Sequence, residues 1–267
     1  MGRIEIHRLT DAAAGLERTV RIYLPQAYGE NGKRYPVLYM QDGQNVYCDQ
    51  GAFGNCSWKV KETLERMERE ETIRGLIVAA VDNIGERRYE DYSPWKNTAG
   101  KSYFKAGERG GLGDAYVEFL VNTVKPFVDK SFRTLPEGEN TGIAGSSMGG
   151  LISAYAGAKY AGLFHKVGVF SLASWFAEEP FLDYLEKVEL NRKQRIYVSV
   201  GTGETSDPEN ARMPQIYLDN SRRYVWKLLE KGISAKQILF EIGAGETHSE
   251  KCWAGRFEKF IEFMYGV

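Results

Sequence analysis

The residues on this chain that could do chemistry together are a serine in a glycine-flanked turn, a late histidine, and a carboxylate between them. The serine motif is Gly145-Ser146-Ser147-Met148-Gly149, of the form G-x-S-x-G. A serine hydroxyl attacks a carbonyl when a neighbouring base takes its proton, and that base is usually a histidine oriented by a carboxylate. The pentapeptide alone is a weak signal, and its surroundings strengthen it. It lies between a short apolar strand, Thr141–Ala144, and a helical stretch from about Met148 to Lys159, where a nucleophile elbow has to be. Such a turn holds its serine in a strained backbone conformation, and the positions two before and two after it crowd each other. Gly145 and Gly149 relieve that crowding around Ser147, whereas Ser146 is excluded because Ala144 stands two residues before it. The start of the following helix also favours negative charge developing beside the serine.

The base follows by elimination. The three histidines are His7, on an early strand, His165, at the junction after the elbow helix, and His248, after the last strand. Where a nucleophile elbow is used, the chain order is serine, acid, histidine, which leaves His248. The acid is then expected in the loop Gly201–Asp207, with Glu204 nearest the strand end and Asp207 as its rival. Asp219 and Glu241 fall inside regular elements and suit the role less. An oxyanion would be held by the backbone N–H of Met148 and by a second N–H from the turn Asp42-Gly43-Gln44, from Gln44 first and Gly43 next.

The elements that must position these groups can be read from periodicity. Arg3–Thr10 and Glu17–Leu24 alternate apolar and polar residues, as half-buried antiparallel strands do. Buried strands are expected at Pro36–Met40, Leu76–Val81, Lys166–Phe170, Arg195–Val200 and Gln237–Ile242. Helices are expected from a Ser57 cap to about Glu70, over Gly113–Lys130, near Phe181–Val188, around Gln215–Lys231, and after Ser249. Two antiparallel strands followed by strict alternation predict a mostly parallel sheet covered on both faces, and together with the nucleophile elbow at Ser147 this makes the α/β-hydrolase fold the expectation. That fold is a mostly parallel central sheet with helices on both faces, built here as one domain over residues 1–267. The segment Ile84–Gly111 has little periodicity but many large side chains, among them Arg87, Arg88, Tyr89, Tyr92, Trp95, Tyr103 and Phe104. Its aromatic content argues against disorder and makes it a candidate rim for a site, or else a packed surface loop.

Composition narrows the function further. The 267 residues carry a formal net charge of -1, so no basic excess exists to neutralise phosphates or a membrane surface. The scattered histidines and the absence of C-x-x-C or H-x-x-x-H spacing lead us to expect no metal and no cofactor. Cys48 and Cys56 could bridge one loop, but incidental thiols are the simpler reading of three cysteines that also include Cys252. The longest apolar stretch, Leu76–Val81, is too short to span a bilayer. The first six residues are charged and alternating rather than apolar, so a cytoplasmic protein is expected unless a leader has been removed.

The pattern also resembles the putative-esterase (esterase D-like) family of α/β hydrolases. That family includes enterochelin, feruloyl and acetyl-xylan esterases, S-formylglutathione hydrolases and mycolyltransferases of the antigen 85 type. The resemblance rests on Val37–Asn45, Asp82–Trp95, Thr141–Gly150 and Phe170–Trp175, completed by Gly201–Glu204 and the segment His248–Trp253. It implies Ser147 and His248 as nucleophile and base, Gln44 and Met148 as oxyanion donors, and Glu204 in a slot where the family often has Asp. It also implies that Trp175, Tyr92 and Trp95 border the substrate, although these aromatics could equally be core beneath a loop. The implied activity is hydrolysis of a small-molecule carboxylic ester (an acylated sugar, a feruloyl or a siderophore ester) through an acyl-enzyme. Acyl transfer or thioester hydrolysis would use the same intermediate. A non-catalytic sugar- or partner-binding protein would have no need for the intact set Ser147, Glu204 and His248.

Overall fold

The computed structural model describes residues 1–100 and 104–267, which form one eight-stranded sheet in the order β1-β2-β4-β3-β5-β6-β7-β8. Strands β1 (Arg3–Asp11) and β2 (Leu16–Leu24) make an antiparallel pair, and β2 also runs antiparallel to β4 (Ile77–Val81). Every other pairing is parallel, through β3 (Val37–Met40), β5 (Thr141–Ser146), β6 (Lys166–Phe170), β7 (Arg195–Gly203) and β8 (Ile238–Thr247).

Why the inner strands read as continuous apolar runs is visible in their two faces. Val37 and Tyr39 of β3 enter one core while Leu38 and Met40 enter the other, and Ile77 and Ala79 of β4 alternate with Val78 and Ala80 in the same way. A strand buried on both sides has no polar phase to show. The helices are α1 (Val60–Arg69), α2 (Arg88–Asp91), α3 (Gly113–Phe119), α4 (Lys125–Ser131), α5 (Met148–Lys159), α6 (Glu178–Lys187), α7 (Met213–Glu230) and α8 (Glu250–Tyr265). Apolar stripes of α1 (Val60, Leu64, Met67) and α8 (Trp253, Phe257, Phe260, Ile261) close one face, and α3 to α7 close the other.

Three boundaries differ from the periodicity. Helix α1 starts at Val60 rather than at a Ser57 cap, because Ser57 gives both its N–H and its hydroxyl to Asp49 and Lys59 turns left-handed (φ 55°). The helix over 113–131 is interrupted by a π turn at Leu120–Val124, just before Pro126, which has no N–H to offer the ladder. Strand β8 continues to Thr247 through a glycine-containing stretch that carries no strand signal in sequence.

The 84–111 segment is packed rather than structureless where it is described; Tyr103 lies outside the described residues. Arg18, 1% exposed, donates to Asp11 (2.7 Å) and to Asp91 of α2 (2.8 Å), tying this segment to the first hairpin. Asn97 stitches the rest, donating to the carbonyls of Ala99 and Lys105 (both 2.8 Å) and accepting from Arg109 N–H (2.8 Å). All three cysteines are unbridged. Among the described residues, no helix is long and apolar enough to cross a membrane.

Candidate active site

Ser147 sits between β5 and α5 with φ 58° and ψ -123°, a conformation costly for a residue with a side chain. A Cβ on Gly145 would stand 2.5 Å from the carbonyl oxygen of Gly149, so the turn closes only with glycine there. At Gly149 a Cβ would meet Asp42 Oδ2 and Gln41 Cβ at 3.1 Å. Strand β5 lies between β3 and β6, which places Ser147 at the carboxyl edge of the sheet, where open α/β sheets bind ligands.

The next two strands bring a carboxylate to the late histidine. Strands β7 and β8 pair in register up to Gly201 opposite Gly243, slip, and pair again at Gly203 opposite Thr247. The residues that follow this last pair are Glu204 and His248, and Glu204 Oε2 lies 2.7 Å from His248 Nδ1. The slip needs glycine, since a Cβ on Gly201 would be 2.1 Å from the carbonyl oxygen of Glu246. The other oxygen of Glu204 accepts from Gly201 N–H (2.9 Å) and from the Ser171 hydroxyl, which itself accepts from Trp253 Nε1 (2.8 Å). This carboxylate is 1% exposed and engaged on both oxygens. Asp207, also buried, accepts instead from Glu209 N–H (3.3 Å) within its own loop.

His248 is gripped by two rings, Tyr217 at 4.9 Å and the perpendicular Trp253 at 5.0 Å between centroids. The Tyr217 hydroxyl donates to Ser206 Oγ (2.9 Å), and burial pushes the phenol up to about 12, so it stays protonated near neutral pH. The other two histidines are elsewhere: His7 packs on Phe127 (5.0 Å) and His165 meets Asn191 (2.9 Å).

The turn after β3 is held from several sides. Asp42 is left-handed (φ 55°) and begins a 3-10 turn over Gly43–Asn45. Its carboxylate takes a two-pronged bond from Arg88 (2.7 and 2.8 Å) and one from Asn83 Nδ2 (2.6 Å), and its N–H donates to the Tyr92 hydroxyl (3.0 Å). Arg88 also reaches the Ser146 carbonyl (3.4 Å), so one guanidinium bridges this turn and the elbow. The Asp42 carboxylate raises the Arg88 pKa against the opposing effect of burial.

Ser147, Met148, Gln44 and His248 open onto one cleft of ≈ 620 Å³, within the range of small-molecule sites. Trp175 lines it as well. Tyr92 and Trp95 do not, which corrects their expected place beside the substrate. Tyr92 is 1% exposed beneath the Asp42 turn, and Trp95 packs on Tyr155, Phe181 and Tyr184. The large loop contributes Gly85, Arg88 and Tyr89 to the rim instead. Sequence reasoning missed Ser171, Tyr217, Asn45 and Glu250. Tyr217 shares the buried face of α7 with Met213 and Tyr224, which in sequence is indistinguishable from core.

Comparison with known proteins identifies the family and the fold. Residues 12–263 match the family described as "Putative esterase". The uncharacterized protein YbbA of Bacillus subtilis (strain 168) is 25% identical over 258 residues, 97% of this chain and 96% of that one. A solved ferulic acid esterase superposes with a TM-score of 0.74 at 17% identity, covering 99% of this chain and 98% of its own. The enterobactin esterase FES of Shigella flexneri does so at 0.73 and 15% identity, covering 99% of this chain and 58% of its own. The fold is that of the α/β hydrolases, and the chain belongs to the putative esterase family of carboxylic ester hydrolases.

Proposed function

We propose that this protein is a serine carboxylesterase that works through an acyl-enzyme, with Ser147 as nucleophile, His248 as base and Glu204 as the acid that orients it. The observation that carries this reading is the 2.7 Å contact of buried Glu204 with Nδ1 of His248, which lines the same cleft as Ser147 on its elbow. A proton kept on Nδ1 by the carboxylate leaves Nε2 free to accept one. Ser147 attacks the ester carbonyl as its proton passes to Nε2. The N–H groups of Gln44 and Met148 then receive the oxyanion. His248 hands the proton to the departing alcohol, the acyl-enzyme remains, and water activated by the same nitrogen releases the acid. Glu204 stabilises the imidazolium that forms.

The cleft suits a ring-bearing small ester, since Phe53, Tyr89, Trp175 and Trp253 all contribute to its wall. The solved relatives whose names mention ferulic acid and enterobactin support the same class for the substrate. The purified protein is expected to hydrolyse p-nitrophenyl acetate and to be labelled by a fluorophosphonate. Ser147→Ala should lose both, and labelling that survives this substitution would show that the nucleophile is another residue.

A further inference from the structure

One carboxyl group in the cleft has no part in the mechanism above. Glu250 is 8% exposed and lines the cleft at the first turn of α8, two residues beyond His248. One of its oxygens accepts from Asn45 Nδ2 (3.2 Å), and Asn45 is locked in turn because its own oxygen accepts from Phe53 N–H (3.0 Å). Asn45 immediately follows Gln44, so this contact stands beside the proposed oxyanion turn. Among the described residues Glu250 has no cation within salt-bridge distance, since the nearby guanidinium of Arg88 is already committed to Asp42. Burial pushes its carboxyl up to about 7. A carboxyl group this enclosed is expected to have partners, and Glu250 lines the space a substrate would fill.

We infer that Glu250, held by Asn45, is a specificity-determining subsite that accepts a hydrogen bond from a hydroxyl group on the substrate. This rests on the esterase reading of the same cleft. A hydroxyl fits better than an ammonium group, because burial disfavours the ionised form of Glu250 that an ammonium group would need. A carboxylated substituent is rejected, being placed against Asp42 and Glu250 together. The hydroxyl can belong to the alcohol half, as in a partly acylated polyol, or to the acyl half, as in a hydroxylated aromatic acid. A site built to bond a hydroxyl discriminates strongly against the analogue that lacks it, because its own polar group is then left unpaired.

The test uses matched ester pairs that differ only by O-methylation, with p-nitrophenyl acetate as a substrate that carries no hydroxyl. On the alcohol side the pair is 2-hydroxyethyl and 2-methoxyethyl acetate. On the acyl side it is methyl 4-hydroxycinnamate and methyl 4-methoxycinnamate. The wild-type protein is expected to prefer the hydroxylated member of one pair by about tenfold or more in kcat/KM. Glu250→Leu should erase that preference, and Glu250→Gln, which keeps one acceptor oxygen, should retain part of it. The pair that responds identifies the half of the substrate that is read. If p-nitrophenyl acetate is cleaved but neither pair is discriminated, or if the preference survives in both variants, the subsite is refuted while the esterase reading stands. If no ester is cleaved and no fluorophosphonate label appears, the esterase reading itself has failed.

Discussion

Glu204→Gln keeps the shape of the proposed acid and removes its charge, and the hydrogen bonds around it fix how the amide would sit. One carboxylate oxygen faces two donors, Gly201 N–H and the Ser171 hydroxyl, and the other faces His248 Nδ1 at 2.7 Å. The amide oxygen must take the first position, because an NH2 there would oppose the Gly201 N–H. Leaving such buried donors unsatisfied costs about 1–3 kcal/mol, so the opposite orientation would be populated only at about one part in 5 to one in 150. The NH2 group then points at Nδ1, which becomes the acceptor, and the histidine proton moves to Nε2, where it blocks uptake of the Ser147 proton. A triad forced into the wrong tautomer loses up to about 10⁴ in kcat, or roughly 5.5 kcal/mol of barrier at 1.36 kcal/mol per tenfold. We expect kcat on p-nitrophenyl acetate to fall by about 10³–10⁴ with KM little changed, and the rate of fluorophosphonate labelling to fall in parallel. The melting temperature should hold close to wild type, because both buried donors keep their acceptor. Asp207→Asn is the control and should stay within about threefold, since its side chain serves its own loop. A Glu204→Gln enzyme within tenfold of wild type, or an Asp207→Asn enzyme equally impaired, would refute Glu204 as the acid.

Two other perturbations probe the supports of the site and of the fold. Arg88→Ala strips the two-pronged partner from Asp42 and should lower kcat by about 10²-fold, the scale of losing one oxyanion donor, more than it raises KM. Arg88→Lys, which keeps the charge without the fork, should fall between, and a change in KM alone would assign Arg88 to substrate binding rather than to the turn. Glu68, on α1, does not line the cleft, and burial pushes its carboxyl from an ordinary 4.5 up to about 7. The folded state then holds this proton longer than the unfolded chain does, so its ionisation lowers stability as pH rises from 4.5 toward about 7. Glu68→Gln should therefore raise the melting temperature relative to wild type at about pH 8 and do so little at about pH 4, and equal shifts at both would contradict that proton linkage.

Much of this architecture was legible in the chain because the rules that set it are local. Alternation marked β1 and β2, double-faced burial marked the inner strands, and the glycines at 145 and 149 marked a tight turn that closes only with glycine at 145. Elimination among three histidines needed no coordinates at all. The pairing of carboxylate and histidine was different, because it depends on where two strand ends finish. Glu204 and Asp207 occupy one loop, and the register slip between Gly201 and Gly203 leaves Glu204 beside His248 while Asp207 turns back on its own backbone. The roles of the aromatics were equally out of reach of the sequence, which lists Tyr92, Trp95 and Trp175 alike although only Trp175 opens onto the cleft. Ser171 after β6, Tyr217 on α7, and Trp253 and Glu250 on α8 converge within hydrogen-bonding or van der Waals reach of the catalytic candidates or their cleft. Local periodicity can say that such a side chain is buried. Only the packed tertiary structure decides what it is buried against, because its partners are distant in sequence and meet through the sheet.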